Sequence, residues 1–248
     1  MGRKGKNTHM KTLSAPKSYD IKRSRHGRQF ISKPMPGPHK TTQSISLCVA
    51  LRDMLKVTNT IRETTSIIKK GYIQVDGKTI LEPKYPIGLM DVISINKEKK
   101  EYRMLMSRKK HLVLDSINNK ESRLKPCKII NKFLTKKGIM KVTMHDGREI
   151  TLPPELGTIS SGDSILVEIP SYKIIEAAKL VAGSFAFCFK GRSTGLYGSI
   201  EKVNEGSFKR PATVQIRTMP EEIITTIKDY VFVVGNTSSW VSLGGLTK

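Results

Sequence analysis

Residues 60–77 read TIRETTSIIKKGYIQVDG, and this stretch decides how the first part of the chain folds. Thr60 and Glu63 have the spacing of a capping box, in which each side chain accepts a hydrogen bond from an amide that the first helical turn leaves free. Basic residues then fill the last turn, where the helix dipole favours cations, and Gly71 supplies a left-handed stop. The pattern predicts a helix over 61–70.

The sequence around this helix predicts a small α+β unit. The Asp-Gly pair that ends the quoted stretch is flanked by alternating apolar and polar residues, which is a strong signal for a β-hairpin. Apolar residues between Ile45 and Leu55 fall near helical spacing, so we expect another helix before the capped one. A further extended run is predicted at 91–95, and the whole unit is placed at residues 43–106.

The rest of the chain has the alternation typical of short β-strands, without a βαβ pattern or a fixed-period repeat. A second Asp-Gly pair at 146–147 predicts another hairpin. The predicted fold class is therefore α+β and multidomain, with a central β domain over 107–172 and a small SH3-like barrel with the C-terminal tail over 173–248. The sequence leaves open whether 107–248 folds as one domain or two. The predicted strands are 128–134, 139–144, 148–152, 164–169, 172–182, 185–189, 199–203, 212–217 and 230–234.

The N-terminal segment is strongly basic and is predicted to be an extended arm over 1–42. Its first forty residues carry eleven Lys or Arg and a single acid, Asp20, and have no helical or strand period. Such a segment buries too little apolar surface to offset its ordering entropy, so we expect it to be disordered alone and to order against a polyanion. The whole chain has a formal net charge of +23, which indicates nucleic acid as the partner.

Several kinds of site are not predicted. No apolar run is long enough to cross a membrane, and no apolar segment of a secretory signal follows the basic N-terminus. The three cysteines lie far apart among apolar neighbours, as reduced core residues do. No carboxylate pair or His/Cys cluster has the spacing that catalysis or metal binding needs. We therefore expect no catalytic residue, no cofactor, no metal and no small-molecule substrate.

Two segments resemble known RNA-binding modules. The predicted helix pair followed by GYIQVDG at 71–77 resembles the S-four RNA-binding fold, whose signature is G-x-I-x-V-(D/N)-G. Residues 183–203, GSFAFCFKGRSTGLYGSIEKV, resemble a KOW motif: a strand, a Gly-rich turn with basic residues, a glycine at Gly198 and a second strand. The turn lacks the asparagine and the second arginine that are common in this motif.

The order of basic arm, S-four module, β domain and KOW barrel resembles the small-subunit ribosomal protein S-four-e family of archaea and eukaryotes. LSAPK at 13–17 and YPIGLMDVI at 85–93 are the segments that resemble the family most specifically, and the chain length resembles that of its archaeal members. The resemblance implies a cytoplasmic, ribosome-bound structural protein that binds the 5′ region of small-subunit rRNA and contacts neighbouring ribosomal proteins. Two alternatives stay open: an S-four-containing rRNA-modifying enzyme and a KOW-type transcription elongation factor.

The predicted mechanism of RNA binding is neutralisation of the backbone by basic side chains, together with shape recognition by the helix pair. The cap end of the 61–70 helix is also expected to offer free amides to a phosphate. The residues predicted to contact RNA lie in the arm, on the helix pair, in the run at 108–110 and in the Gly-rich turn. They are Arg3, Lys4, Lys6, Lys11, Lys17, Lys22, Arg23, Arg25, His26, Arg28, Lys40, Arg52, Arg62, Lys69, Lys70, Arg108, Lys109, Lys110, Lys190 and Arg192.

Overall fold

The computed structural model describes residues 9–21, 23, 28–109, 111–136, 138–218 and 222–244. Its strands form three five-stranded antiparallel sheets and two short two-stranded ladders, with few helices between them. This confirms the predicted α+β, multidomain fold class. Among the described residues, no helix is both long and apolar enough to cross a membrane.

The strands are β1 Met10–Lys11, β2 Phe30–Ile31, β3 Ile45–Ser46, β4 Ile73–Val75, β5 Lys78–Thr79, β6 Pro86–Ile87, β7 Val92–Ile95, β8 Lys100–Met106, β9 Leu112–Ile117, β10 Leu124–Leu134, β11 Met140–Met144, β12 Glu149–Thr151, β13 Ser164–Glu168, β14 Lys173–Ala178, β15 Phe185–Cys188, β16 Tyr197–Asn204, β17 Thr213–Thr218, β18 Glu222–Ile227 and β19 Val231–Gly235. The α-helices are α1 Leu47–Val49, α2 Ile61–Lys69 and α3 Asn119–Ser122. A π-helical turn, Ala50–Met54, continues α1, and 3-10 turns lie at Thr12–Ser14, Pro154–Leu156 and Lys228–Tyr230.

Helix α2 forms as its sequence predicts. The Thr60 side chain accepts a hydrogen bond from the Glu63 amide, and the Glu63 side chain accepts one from the Thr60 amide. Gly71 ends the helix with φ of +75°. Thr64 and Ile68 are the buried positions of the helix, so one face packs on the core while its basic last turn stays in water.

The first sheet has the strand order β5-β4-β7-β8-β9. The β8–β9 hairpin extends this sheet to Ile117, with Leu105 opposite Val113 and Met104 opposite Leu114. The predicted boundary at 107 therefore falls inside a hairpin of one sheet. Neither β8 nor β9 is among the strands predicted from the sequence.

The central sheet has the order β12-β11-β10-β13-β14 and is organised around the eleven-residue strand β10. Its first half pairs with β13 and its second half with β11. Pro126 is tolerated because the β11 ladder begins only at Ile129, so the missing amide costs no bond on that side. Since β14 pairs with β13, the central sheet continues to Ala178 and the predicted boundary at 173 falls one strand early.

The last sheet has the order β18-β17-β16-β15-β19 and contains the predicted KOW segment as the β15–β16 pair. Gly198 lies on β16 opposite Thr218, and a Cβ at this position would overlap the carbonyl of Arg217. The close approach of these two strands therefore requires glycine at the position where the motif places it.

The described part of the arm packs on the folded body. Strands β1 and β2 pair with each other, and Tyr19 is 1% exposed within the same hydrophobic core that holds the S-four-like unit. The amide of Leu112 donates a hydrogen bond to the Ser18 carbonyl, which ties the arm to β9. Residues 9–21 and 28–42 of the predicted arm therefore pack on the body through a few apolar side chains, and the expected disorder of the arm in the free protein stays a prediction.

Candidate nucleic-acid interface

A buried ionic cluster, which we call the hub, joins the arm, the first sheet and the central sheet. The ammonium group of Lys125 lies 2.7 Å from carboxylate oxygens of both Asp76 and Asp91, and 3.3 Å from Asp146. All four side chains are nearly inaccessible to water. His39 of the arm contacts the same Asp91, with 2.8 Å between Nε2 and Oδ2.

The hub keeps its charges by mutual compensation. Burial alone would lower the pKa of Lys125, but Asp76 and Asp91 raise it well above its usual value, so the ammonium group stays protonated. Burial likewise acts to raise the pKa of Asp91, and Lys125 and His39 hold it below its usual value. Burial and the charge of Asp91 raise the pKa of Asp76 despite Lys125. Because the hub takes its groups from several units, loss of one partner would leave the others buried and uncompensated at their junction.

Arg148 closes the hub on its outer side. Its guanidinium group lies 3.5 Å from Asp76 and 3.7 Å from Asp146, and it stacks over the Tyr172 ring at 4.3 Å from the ring centroid. The planar guanidinium group can face an aromatic ring and a carboxylate at the same time, which a lysine ammonium does less well.

The barrel is tied to both other units. Lys128 on β10 donates hydrogen bonds to the carbonyls of Asp229, at 3.0 Å, and Val231, at 2.6 Å. Gly195, in the Gly-rich turn, has φ of +82°, and a Cβ there would overlap the backbone of Ser107 and Arg108. The turn therefore lies directly on the β8–β9 connection, which carries part of the predicted basic run.

Most of the described residues predicted to bind RNA have exposed side chains, and Lys190 is half-buried. Exposure makes these groups available to a polyanion and does not by itself show binding, so their role stays a prediction. The exposed ones are Lys11, Lys17, Arg23, Arg28, Lys40, Arg62, Lys69, Lys70, Arg108, Lys109 and Arg192. The predicted residues Arg3, Lys4, Lys6, Lys22, Arg25, His26 and Lys110 lie outside the described residues.

Part of the polar surface predicted on the helix pair has partners inside the protein. Arg52 is only 5% exposed and donates hydrogen bonds to both carboxylate oxygens of Asp53, so its guanidinium group is used inside the protein. The amides of Asn59 and Thr60 at the cap end of α2 already donate to Glu63, whose negative charge would also repel a phosphate. The basic side chains of α2 that remain exposed to a polyanion are Arg62 in its first turn and Lys69 and Lys70 at its end.

Sequence analysis also missed an exposed aromatic residue. Phe208 is fully exposed at the tip of the β16–β17 connection, where Ser207 and Arg210 exchange two backbone hydrogen bonds. Its neighbours Lys209 and Arg210 are basic and exposed. An exposed aromatic residue beside basic ones is a usual arrangement for stacking on an unpaired base. The sequence shows an aromatic residue beside two basic ones, but their exposure follows from the tight turn between Ser207 and Arg210, which the sequence pattern did not predict.

The described residues contain no group of three or more His, Cys, Asp or Glu side chains arranged to hold a metal ion. Cys48, Cys127 and Cys188 are all buried and unpaired. Burial raises the pKa of Cys188 to about 12, so its thiol is a packing group and not a nucleophile.

Comparisons with known proteins all lead to one family. The family model described as "Ribosomal family S4e" matches residues 98–174, and the model described as "RS4NT (NUC023) domain" matches residues 4–42. The chain is 34% identical over 249 residues to the small ribosomal subunit protein eS4 of Methanocaldococcus jannaschii, covering 98% of this chain and all of that protein. It is 36% identical to the protein of the same name from Methanothermobacter thermautotrophicus, covering 96% of each chain.

A solved structure gives the same result. The crystal structure of the 30S ribosomal protein S4e from Thermoplasma acidophilum matches this fold with a TM-score of 0.68 at 33% sequence identity. The match covers 81% of this chain and 98% of that one. Similarity in sequence and in fold therefore extends over most of the chain.

Proposed function

This chain belongs to ribosomal family S4e, and we propose that it binds the 5′ region of small-subunit rRNA through the basic faces of its arm, its S-four-like unit and its barrel. As a member of the family it is a structural constituent of the small ribosomal subunit and not an enzyme. Its partners are rRNA and other proteins of that subunit. We place it on the ribosome in the cytoplasm.

The observation that carries the proposal is the free basic surface of α2. Arg62, Lys69 and Lys70 are all exposed, and none of them forms an ion pair with a carboxylate of the described residues. Arg52 and Arg28, by contrast, are paired with Asp53. Unpaired cations on a rigid helix are available to phosphates without first breaking a bond inside the protein.

The test is a titration of the full chain with transcripts of the 5′ and 3′ regions of small-subunit rRNA. We expect tighter binding of the 5′ transcript. The triple variant R62Q/K69Q/K70Q should bind it more weakly and should flatten the plot of log affinity against log salt by about two units, because each neutralised phosphate contributes roughly 0.7–0.9 to that slope.

The matched control is K173Q/K179Q/K202Q, which removes the same formal charge from exposed positions on the central sheet, the barrel and the connection between them. It should keep most of the affinity, because those lysines were not predicted to contact RNA. Equal losses in the two triple variants would mean that net charge alone drives binding. Equal binding of the 5′ and 3′ transcripts would overturn the proposed region.

The cellular partner is tested separately by sedimentation at moderate salt. The chain should travel with the small subunit and should not purify with RNA polymerase. Release from the subunit together with recovery on polymerase would favour a transcription factor with the same barrel.

A further inference from the structure

A cavity of about 910 Å³ lies where the arm, the central sheet and the barrel meet. Leu89, Met106 and Phe232 form apolar parts of its wall, and Gly162 and Gly191 also line it. Its size is within the range of roughly 300–1,000 Å³ that is typical of ligand pockets.

Lysines from three separate units line this cavity. Lys40 comes from the arm, Lys128 from the central strand β10, and Lys190 and Lys228 from the barrel. Asp229 is the sole acidic residue among the lining residues that the structure describes. A cavity of this composition has a positive potential, which its apolar walls concentrate.

The four lysines are not equivalent. Lys128 is occupied, because its ammonium group donates to two backbone carbonyls. Lys40, Lys190 and Lys228 form no ion pair with a carboxylate in the described ranges of the chain. Lys190 lies over the Phe189 ring, with 5.3 Å between its ammonium nitrogen and the ring centroid, which holds it at the cavity wall.

Asp229 compensates the positive charge of the cavity only in part. Burial lowers the pKa of Lys190, and the neighbouring charge of Lys40 lowers it further, with Asp229 acting in the opposite direction. Burial also lowers the pKa of Lys128 to about 8. An anion between these ammonium groups would relieve their repulsion, and a phosphate fits because its several oxygens can accept from more than one lysine.

We propose that this cavity binds a phosphate group of the rRNA backbone, held by Lys40, Lys190 and Lys228. The identification of the anion as rRNA rests on the proposed function. The lysines of the cavity indicate a phosphate group but do not indicate which molecule carries it. Because its lysines come from the arm and the barrel, the bound strand would bridge units that are far apart in sequence and would fix them against each other.

The test uses the full chain and follows the chemical reactivity of its lysines by mass spectrometry after brief acetylation. Inorganic pyrophosphate should protect Lys190 and Lys40, and the 5′ rRNA transcript should protect the same pair. Lys173 and Lys202, which are exposed on other strands, should keep their reactivity with pyrophosphate. Unchanged reactivity of Lys190 with both probes would overturn the proposal.

Variants of the cavity lysines test whether the bound phosphate belongs to rRNA. K40Q/K190Q/K228Q should lose about tenfold in affinity for the 5′ transcript at 0.1 M salt, whereas K173Q/K179Q/K202Q should lose much less. Protection by pyrophosphate without protection by the transcript would overturn the assignment to rRNA. The same titration measures whether the unmodified chain prefers the 5′ transcript. Absence of that preference would count against the proposed function. The protection by pyrophosphate would then decide separately whether the cavity binds phosphate.

Discussion

Lys125 is the residue on which the junction of the units depends. It is fully buried and contacts Asp76, Asp91 and Asp146 within 3.3 Å. The variant K125M keeps much of the side-chain volume but leaves three carboxyl groups with less compensation. Removal of one partner of a buried ionic group costs about 3–5 kcal/mol, so we expect a loss of this size in the free energy of unfolding by urea.

The control for this prediction is K120M, which removes an exposed lysine at α3 and should change stability by less than about 0.5 kcal/mol. If K125M and K120M have the same midpoint, the hub does not hold the units together. Sequence reasoning could not find the hub, because two of its carboxylates belong to Asp-Gly pairs that already had an explanation as turn residues.

Phe208 is expected to contribute to RNA binding and not to the stability of the protein. Its side chain is fully exposed, so F208A removes no packing from the barrel. Stacking of one base on an aromatic ring is worth about 1–3 kcal/mol, so we expect F208A to weaken binding of the 5′ transcript by at least fivefold. F208W should restore binding. L134A, at another exposed apolar position, is the control, and equal effects of F208A and L134A would exclude a stacking role.

His145 predicts a pH dependence of stability. The Lys128 amide points at its Nδ1 atom at 3.4 Å, and its Nε2 atom lies 3.1 Å from the Leu89 carbonyl, which suits the neutral ring. Burial, followed by the charge of Lys125, lowers the pKa of His145 from 6.5 to about 4. The unfolded chain therefore binds more protons between these two values, and stability falls as pH is lowered from about 6.5 to 4.

The ring lines the cavity and keeps some contact with water, so we expect about 1–3 kcal/mol over this window and not the full value of the shift. The measurement is urea unfolding at a series of pH values. H145Q should have a flatter profile than the unmodified chain, and H9Q, which removes an exposed imidazole, is the control. An unchanged slope in H145Q would assign the acid sensitivity to the carboxylates of the hub.

At the scale of elements, the sequence correctly predicted the helix whose ends are set by neighbouring residues. Helix α2 has its cap, its polar face and its glycine stop within a few residues of one another, and it forms within one residue of the predicted range. The preceding helix is shorter than its spacing suggested, because Ile45 and Ser46 pair with β6 as strand β3. That pairing depends on residues some forty positions away, which helical periodicity does not report.

Strand β8 illustrates how a buried charge conceals an element. Arg103 is fully buried in the strand, and its guanidinium group donates to the carbonyls of Glu121 and Leu124 at 2.7 and 2.8 Å. An arginine at an inward-facing position breaks the alternation that would identify a strand. The same residue joins the first sheet to α3 and β10, so the missed strand and the missed junction have one cause.

The attachment of the arm is tested through Tyr19. The ring is buried in the core, and its hydroxyl has no hydrogen-bond partner among the described residues. Y19A should therefore free the arm and speed trypsin cleavage at Lys11 and Arg28 by at least tenfold. Y19F should leave cleavage unchanged or slower, because a buried hydroxyl without a partner contributes nothing favourable. F30A, at an exposed aromatic position of the same arm, is the control, and equal cleavage of Y19A and F30A would refute this attachment.

At the scale of the whole molecule, the distribution of charge separates structure from binding. Three of the 21 acidic residues lie in the hub, where they balance internal cations and cannot neutralise the surface. Four cations of the described residues, Arg52, Arg103, Lys125 and Lys128, are buried as well, so the outer surface keeps the strong excess of positive charge. Composition alone predicted the class of partner, a nucleic acid, because surface potential depends mainly on the number of charges. It could not identify which basic residues are used inside the protein, as Arg52 is.

The arm is expected to bind RNA through its charge. In R23A/R25A/R28A, affinity for the 5′ transcript should fall and the salt plot should flatten by up to about three units. The preference for the 5′ over the 3′ transcript should stay the same, since phosphate contacts carry no sequence information. Arg28 also pairs with Asp53, so a stability measurement must accompany the titration.

The charge-conserving variant R23K/R25K/R28K isolates the role of charge. If the arm acts by neutralising phosphates, this variant should keep the salt slope of the unmodified chain, even where the loss of the planar fork reduces affinity. A changed transcript preference in either variant would mean that the arm reads bases. The RNA would then be selected by the arm itself, and the folded units behind it would only position that arm on the subunit.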